Sequence, residues 1–134
     1  MISEEYILRV VAETIKSGGS ASRLNAEKFL PPMDIWSFPK YPSRTAILPP
    51  TADLATELRK FVIQNESFLK EVGCWLGTWI NPRTKEYYLD IATGVAELSK
   101  ARETAKRISV EDGRKIVAIF NAKRNETIYL WESD

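Results

Sequence analysis

Apolar and polar positions alternate with period two from Cys74 to Ile91, interrupted once by the polar run Asn81 to Lys85. That pattern predicts a β-hairpin. With Pro82 to Lys85 in the loop, Ile80 stands opposite Tyr87, Thr78 opposite Leu89 and Leu76 opposite Ile91. One face then carries Leu76, Ile80, Tyr87, Leu89 and Ile91, and the other Trp75, Gly77, Trp79, Tyr88 and Asp90. A slip of one residue would mix apolar and polar positions on both faces, so this register is favoured. Asn81-Pro82 suits the first two positions of a type I turn. The left-handed residue falls on Lys85, where glycine is usual, which implies modest strain.

Helical spacing takes over on either side. Residues 3–17 place Leu8, Val11 and Ile15 on one stripe supported by Ile7, with Ser3 as N-cap and Gly18-Gly19 as the stop. Residues 52–72 repeat Leu54, Leu58, Phe61, Val62, Phe68, Leu69 and Val72 at helical spacing, with Thr51 as candidate cap and Gly73 as the end. Asn65-Glu66-Ser67 reads as a break, with Ser67 capping a final turn. Residues 94–108 put Val95, Leu98, Ala101, Ala105 and Ile108 on one face, and the two alanines let that helix sit close to a sheet. Lys115 to Asn121 and Thr127 to Glu132 read as a second hairpin around Ala122 to Glu126.

Residues 20–50 fit neither period. Six prolines (31, 32, 39, 42, 49 and 50) argue against a long helix or a central strand. A short helix at 22–29 and a short edge strand from Arg44 to Leu48 are expected inside an otherwise irregular connection. The element order is α-loop-α-β-β-α-β-β, which predicts one α+β domain over 1–134 with a four-stranded, mainly antiparallel sheet. Residues 1–50 hold the first helix and the proline-rich loop; residues 51–134 hold helix, hairpin, helix and hairpin. The third helix is expected to cover one sheet face. The first two are expected to cover the face of Trp75, Trp79 and Tyr88, or to pack at the sheet's end.

The stretch from Gly77-Thr78-Trp79 to Tyr88-Leu89-Asp90 resembles a hairpin of uncharacterised small proteins of bacteria and their phages. It differs where glycine is usual and Lys85 stands. The resemblance implies a phage or mobile-element association, and no activity, substrate or catalytic residue.

Composition changes the picture mainly by what it removes. The chain has no histidine, which excludes a Ser-His-Asp triad, a Cys-His pair and an H-E-x-x-H zinc site within it. A lone Cys74 forms no intrachain disulfide and reads as a buried thiol. No glycine-rich phosphate loop or calcium loop is present, so no cofactor and no metal is expected. Glu4 and Glu5 precede any apolar run, unlike a signal peptide, and no apolar run reaches membrane-spanning length. A cytoplasmic protein without membrane contact is expected. Nineteen basic and 18 acidic residues leave a net charge of +1, which weighs against a dedicated nucleic-acid binder. Lys100, Arg102, Lys106 and Arg107, mixed with Glu97 and Glu103, read as a solvated helix face.

Two places remain for function. Asp34 to Arg44 interleaves three aromatics with two cations and two prolines. Aromatic and arginine side chains dominate binding hot spots, and prolines reduce the entropy lost on docking. Trp36, Phe38, Lys40, Tyr41 and Arg44 are therefore candidate contacts for a protein partner, with Trp79 and Tyr88 second. The competing structural role for Trp36 and Phe38 is to anchor the loop to the core. A first alternative is single-stranded nucleic-acid binding on an exposed aromatic sheet face. A second is a histidine-free enzyme built on carboxylates. Glu86 and Asp90 stand roughly 13 Å apart along one strand, too far for a glycosidase pair. The expected function is non-enzymatic binding of a protein.

Overall fold

The computed structural model describes residues 2–131. Helix α1 (Glu4–Ser17) opens on Ser3, whose Oγ accepts the Tyr6 N–H. It ends at Gly18, a left-handed cap whose N–H donates to the Thr14 carbonyl. Strands β1 (Gly19–Arg23) and β2 (Lys28–Phe29) follow, then β3 (Trp36–Pro39), a 3-10 turn at Pro42–Arg44 and β4 (Ala46–Leu48). Helix α2 (Leu54–Leu69) is capped by Asp53, which accepts from the Thr56 N–H, and not by Thr51. Asn65 leaves helical geometry at the expected break, but Ser67 lies inside the helix instead of capping a new turn. Strands β5 (Trp75–Ile80) and β6 (Tyr87–Val95), helix α3 (Leu98–Glu111), β7 (Ala118–Asn121) and β8 (Glu126–Tyr129) complete the order. The expected end of the last strand, Glu132, lies outside the described residues.

The α+β class holds, but the sheet has eight strands, not four, in the order β2-β1-β5-β6-β3-β7-β8, with β4 also on β6. The extra strands all come from the proline-rich third of the chain. The expected helix at 22–29 is instead the end of β1, a turn and β2, because Gly19 to Ser22 pair with Trp79 to Leu76 of β5. Trp36 to Pro39 form a central strand between β6 and β7. Proline is tolerated at its end for a directional reason. The Lys40 N–H donates to the Ile91 carbonyl of β6, so by alternation the nitrogen of Pro39 points away from β6, past the last residue that β7 pairs. β3 and β4 are collinear on one edge of β6, opposite residues 92–95 and 87–89 respectively, with residues 40–45 bulging between them.

The β5–β6 hairpin has the expected register, Ile80 on Tyr87, Thr78 on Leu89 and Leu76 on Ile91, and Lys85 is left-handed at φ 68°. Its inner face builds the main core, where Leu76, Leu89 and Ile91 meet Tyr6, Ile7 and Val10 of α1 and Leu58, Phe61 and Val62 of α2. Trp36 and Phe38 pair with Val95 and Thr93, so they share that face of β6. There they pack with Ala101 and Ala105 of α3, Ile116, Ile119 and Leu130. All three helices thus lie on one side of the sheet. This corrects both expected placements of α1 and α2, over the tryptophans or at the sheet's end, since they share the Leu76 face. The reason is the partition of apolar residues: α1 and α2 need a broad aliphatic surface, and only the Leu76 face offers one.

Candidate functional site

The opposite face is bare of helices and strongly coiled. A methyl built on Gly77 would lie 3.1 Å from the Ala92 methyl, although such diagonal neighbours stand about 7 Å apart on an ordinary sheet. A Cβ on Gly94 would meet Ile35 at 2.9 Å and Trp75 at 3.2 Å. Coiling brings distant strands together on this side. Trp79 of β5 and Tyr129 of β8 are four strands apart in the sheet order, yet their rings lie 6.5 Å apart. Trp79 also meets its cross-strand partner Tyr88 edge to face at 5.1 Å. Small residues at Gly77, Ala92 and Gly94 make room for these rings. Trp75 and Tyr88 are buried by this curvature, and Trp79 remains half-buried.

Where β3 ends, the sheet opens. A cleft of about 40 Å³ lies between Thr45 and Ile47 on one side and Lys115 to Ala118 on the other, over Trp79, Tyr88, Asp90 and Pro39. Among the described residues, Asp90 supplies the one acid of its lining. Burial pushes the Asp90 carboxyl up to about 6, against the opposing effects of a hydrogen bond from Thr45 and the nearby Arg114 charge. Thr45 Oγ1 donates to Asp90 Oδ1 at 2.8 Å. Arg114 spends its Nη1 on the carbonyls of Thr45, at 2.8 Å, and Pro42, at 3.3 Å, bracing the bulge.

The sequence-chosen residues divide. Trp36 and Phe38 are each 2% exposed, so they anchor the segment and present nothing to a partner. Lys40 and Tyr41 both bind Glu71, at 3.1 and 2.7 Å, and hold its carboxyl below its usual range, the tyrosine hydroxyl contributing most. Arg44 lies 4.1 Å over the Phe68 ring and donates to Asn65 Oδ1. These three tie the bulge to the end of α2. Trp79 and Tyr88 do come together, in the cleft. Glu86 precedes β6 and does not line the cleft, so Asp90 has no second acid beside it there. Cys74 is buried, and burial pushes its thiol up. Among the described residues no group of three or more potential ligands is placed to hold a metal, and no helix is long and apolar enough to cross a membrane.

Asp90, Thr45, Ile47, Arg114 and Tyr129 were not chosen from the sequence. Asp90 carried a signal, an acid alternating into an aromatic strand face opposite glycine. Thr45 and Arg114 carried none, since their contact spans 69 residues. No family model and no curated protein matches the sequence, and no solved structure matches the fold.

Proposed function

We propose that this chain is a small, non-enzymatic binding protein whose partner is another protein, docked at the cleft over Trp79 and Tyr88. The observation that carries this reading is an aromatic sheet face free of helices that opens between Ile47 and Ala118. It moves the docking surface from the proline-rich segment to the second-ranked pair, Trp79 and Tyr88. The nucleic-acid alternative is disfavoured because stacking needs a row of open rings, and Trp75 and Tyr88 are only 5% and 9% exposed. The enzyme alternative has a single acid in the cleft and no converging partner for it.

Docking proceeds by side chains and not by an added strand. The Ile80 N–H points to Gly18, so the backbone groups of Trp79 face β6 and those of Tyr88 face β5. Ala46 and Leu48 then bond β6, and only Ile47 turns its N–H and C=O outward. Its outward neighbours are Thr45, whose carbonyl is taken by Arg114, and Pro49, which has no N–H. Such an edge is closed to pairing.

A photo-crosslinking residue at position 47 tests the reading. In extract of the native host it should give one protein adduct, lost in Trp79→Ala and absent when the probe sits at exposed Leu8 on α1. Equal capture from both positions, or salt-sensitive retention of RNA, would overturn it.

A further inference from the structure

We infer that the cleft selects a primary ammonium, the lysine side chain of a protein partner, with Asp90 as its counter-ion and Trp79 and Tyr88 as its aromatic walls. The inference rests on the reading of the cleft as a protein-docking site. Three observations carry it. The first is a cleft-lining acid that forms no ion pair among the described residues. Asp90 is held by the neutral Thr45 hydroxyl, while Arg114 gives its Nη1 to two backbone carbonyls and acts on the carboxyl only through its nearby charge. A half-buried carboxylate left in this state gains from an incoming cation.

The second is the chemistry of the walls. Trp79 and Tyr88 pack edge to face beside the carboxylate, and aromatic faces attract cations electrostatically. The same surface already shows this preference, since Arg83 places its guanidinium 3.6 Å over Tyr129, the ring next to Trp79. The third is size. A volume of about 40 Å³ holds a few water-sized groups, which suits an ammonium on a methylene stem.

The charges facing Asp90 come from the segment before β7, namely Arg114 and Lys115. Lys115 has its ammonium 4.8 Å over the Trp131 ring. Both cations limit the affinity of the site, but a ligand anion would have to reach a floor occupied by a carboxylate.

The experiment uses the whole chain, with Nα-acetyl-lysine methylamide as probe and the norleucine and glutamate analogues as controls. Binding is followed by NMR at the Asp90 carboxyl carbon and the Trp79 indole. The lysine probe should bind at least tenfold more tightly at pH 7.5 than at pH 4.5, and should lower the apparent Asp90 pKa. Asp90→Asn should weaken it at least tenfold while its spectrum stays folded, because the Thr45 hydroxyl can still donate to the asparagine oxygen. Lys123→Ala, in the distant β7–β8 turn, should leave it unchanged. Equal affinity at both pH values, tighter binding of the norleucine or glutamate analogue, or full binding by Asp90→Asn each overturn the inference. If the position-47 adduct survives in Asp90→Asn, the docking face stands and the lysine assignment falls. If no adduct forms at all, the docking reading itself falls.

Discussion

The two faces of the β5–β6 hairpin solve the same problem differently. On one, Leu76, Leu89 and Ile91 are covered by two helices, and the side chains stack into a dry core. On the other, Trp75, Trp79 and Tyr88 have no helix above them, and the sheet covers them by coiling, with Gly77 and Gly94 absorbing the curvature. Covering by helices leaves Leu76, Leu89 and Ile91 no more than 1% exposed. Covering by curvature leaves a gap wherever a strand stops, and β3 stops at Pro39, directly beside Asp90. On the docking reading proposed above, binding chemistry gathers where the sheet is closed imperfectly, not where the loops are longest.

The largest expected effect falls on the covered face. Trp36→Ala removes a ring packed among Phe38, Ala101, Ala105 and Ile119, and should lower the unfolding free energy by about 3–5 kcal/mol in urea titration. A loss of under 1 kcal/mol would mean that this tryptophan is not part of a core, and the contrast between the faces would collapse.

On the bare face the sign should reverse. The Asp90 carboxyl titrates near 6 in the folded chain against 3.8 as its ordinary value. Between those values the folded state binds the proton more tightly, so stability falls as pH rises through this window. The penalty is complete above pH 6 and gone below the ordinary value. Its upper size is about 3 kcal/mol. Asp90→Asn should therefore stabilise the protein by up to that amount at pH 7.5 and by almost nothing at pH 3.5. Equal effects at both pH values would show that the gain, if any, is not electrostatic. A raised carboxyl in a cleft marks a candidate functional site, and the proposed docking role would account for its cost.

The covered face is not wholly apolar, and this sharpens the contrast. Thr14 Oγ1 donates to the Val10 carbonyl at 2.7 Å, and a carbonyl only accepts, so the remaining bonds acquire a direction. Thr78 must donate to Thr14, at 2.5 Å, and Ser20 to Thr78, at 2.6 Å. Thr14 and Thr78 are buried and Ser20 half-buried, each hydroxyl partnered within the relay, whereas Asp90 faces an opening. Thr14→Val removes the acceptor of Thr78, leaving it Ser20 alone, and should cost about 1–3 kcal/mol. Thr14→Val combined with Thr78→Val should cost less than the two single changes added, as a double-mutant cycle would show.

What was legible in the sequence follows the range of the interactions. The hairpin register, the Ser3 and Gly18 caps and the α3 face through Ala101 and Ala105 depend on residues close in the chain, and they read correctly. The α1 stripe did not, since Leu8 and Ile15 are exposed and Tyr6, Ile7, Val10 and Thr14 are the buried face. β1, Gly-Ser-Ala-Ser-Arg, has no β-forming side chain at all and is a strand only because β5 offers an edge. In β3 the alternation Trp36-Ser37-Phe38 was present, but the density of prolines outweighed it. That argument failed because a proline is tolerated when its nitrogen faces an unpaired side. The candidate site was half legible. Trp79 and Tyr88 followed from alternation, whereas the cleft needs Thr45 and Arg114, which only the folded chain brings together.

The smallest effect tests the local reading by itself. The four-residue loop leaves Lys85 at φ 68°, with its N–H donating to the Asn81 carbonyl at 2.7 Å and the Asn81 N–H to that of Glu86 at 3.0 Å. Both bonds belong to the backbone, so Lys85→Gly keeps them and removes a left-handed Cβ that costs roughly 1–2 kcal/mol. Glycine returns part of that gain as unfolded-state freedom, roughly 0.5–1 kcal/mol. The net expectation is a stabilisation of less than about 1 kcal/mol with an unchanged denaturant slope. Because the loop tip lies beyond both faces, the same variant should leave the Asp90 titration where it is. A shifted titration would mean that the hairpin tip and the cleft move together, and the coiling of the bare face would then have to be treated as adjustable, not fixed.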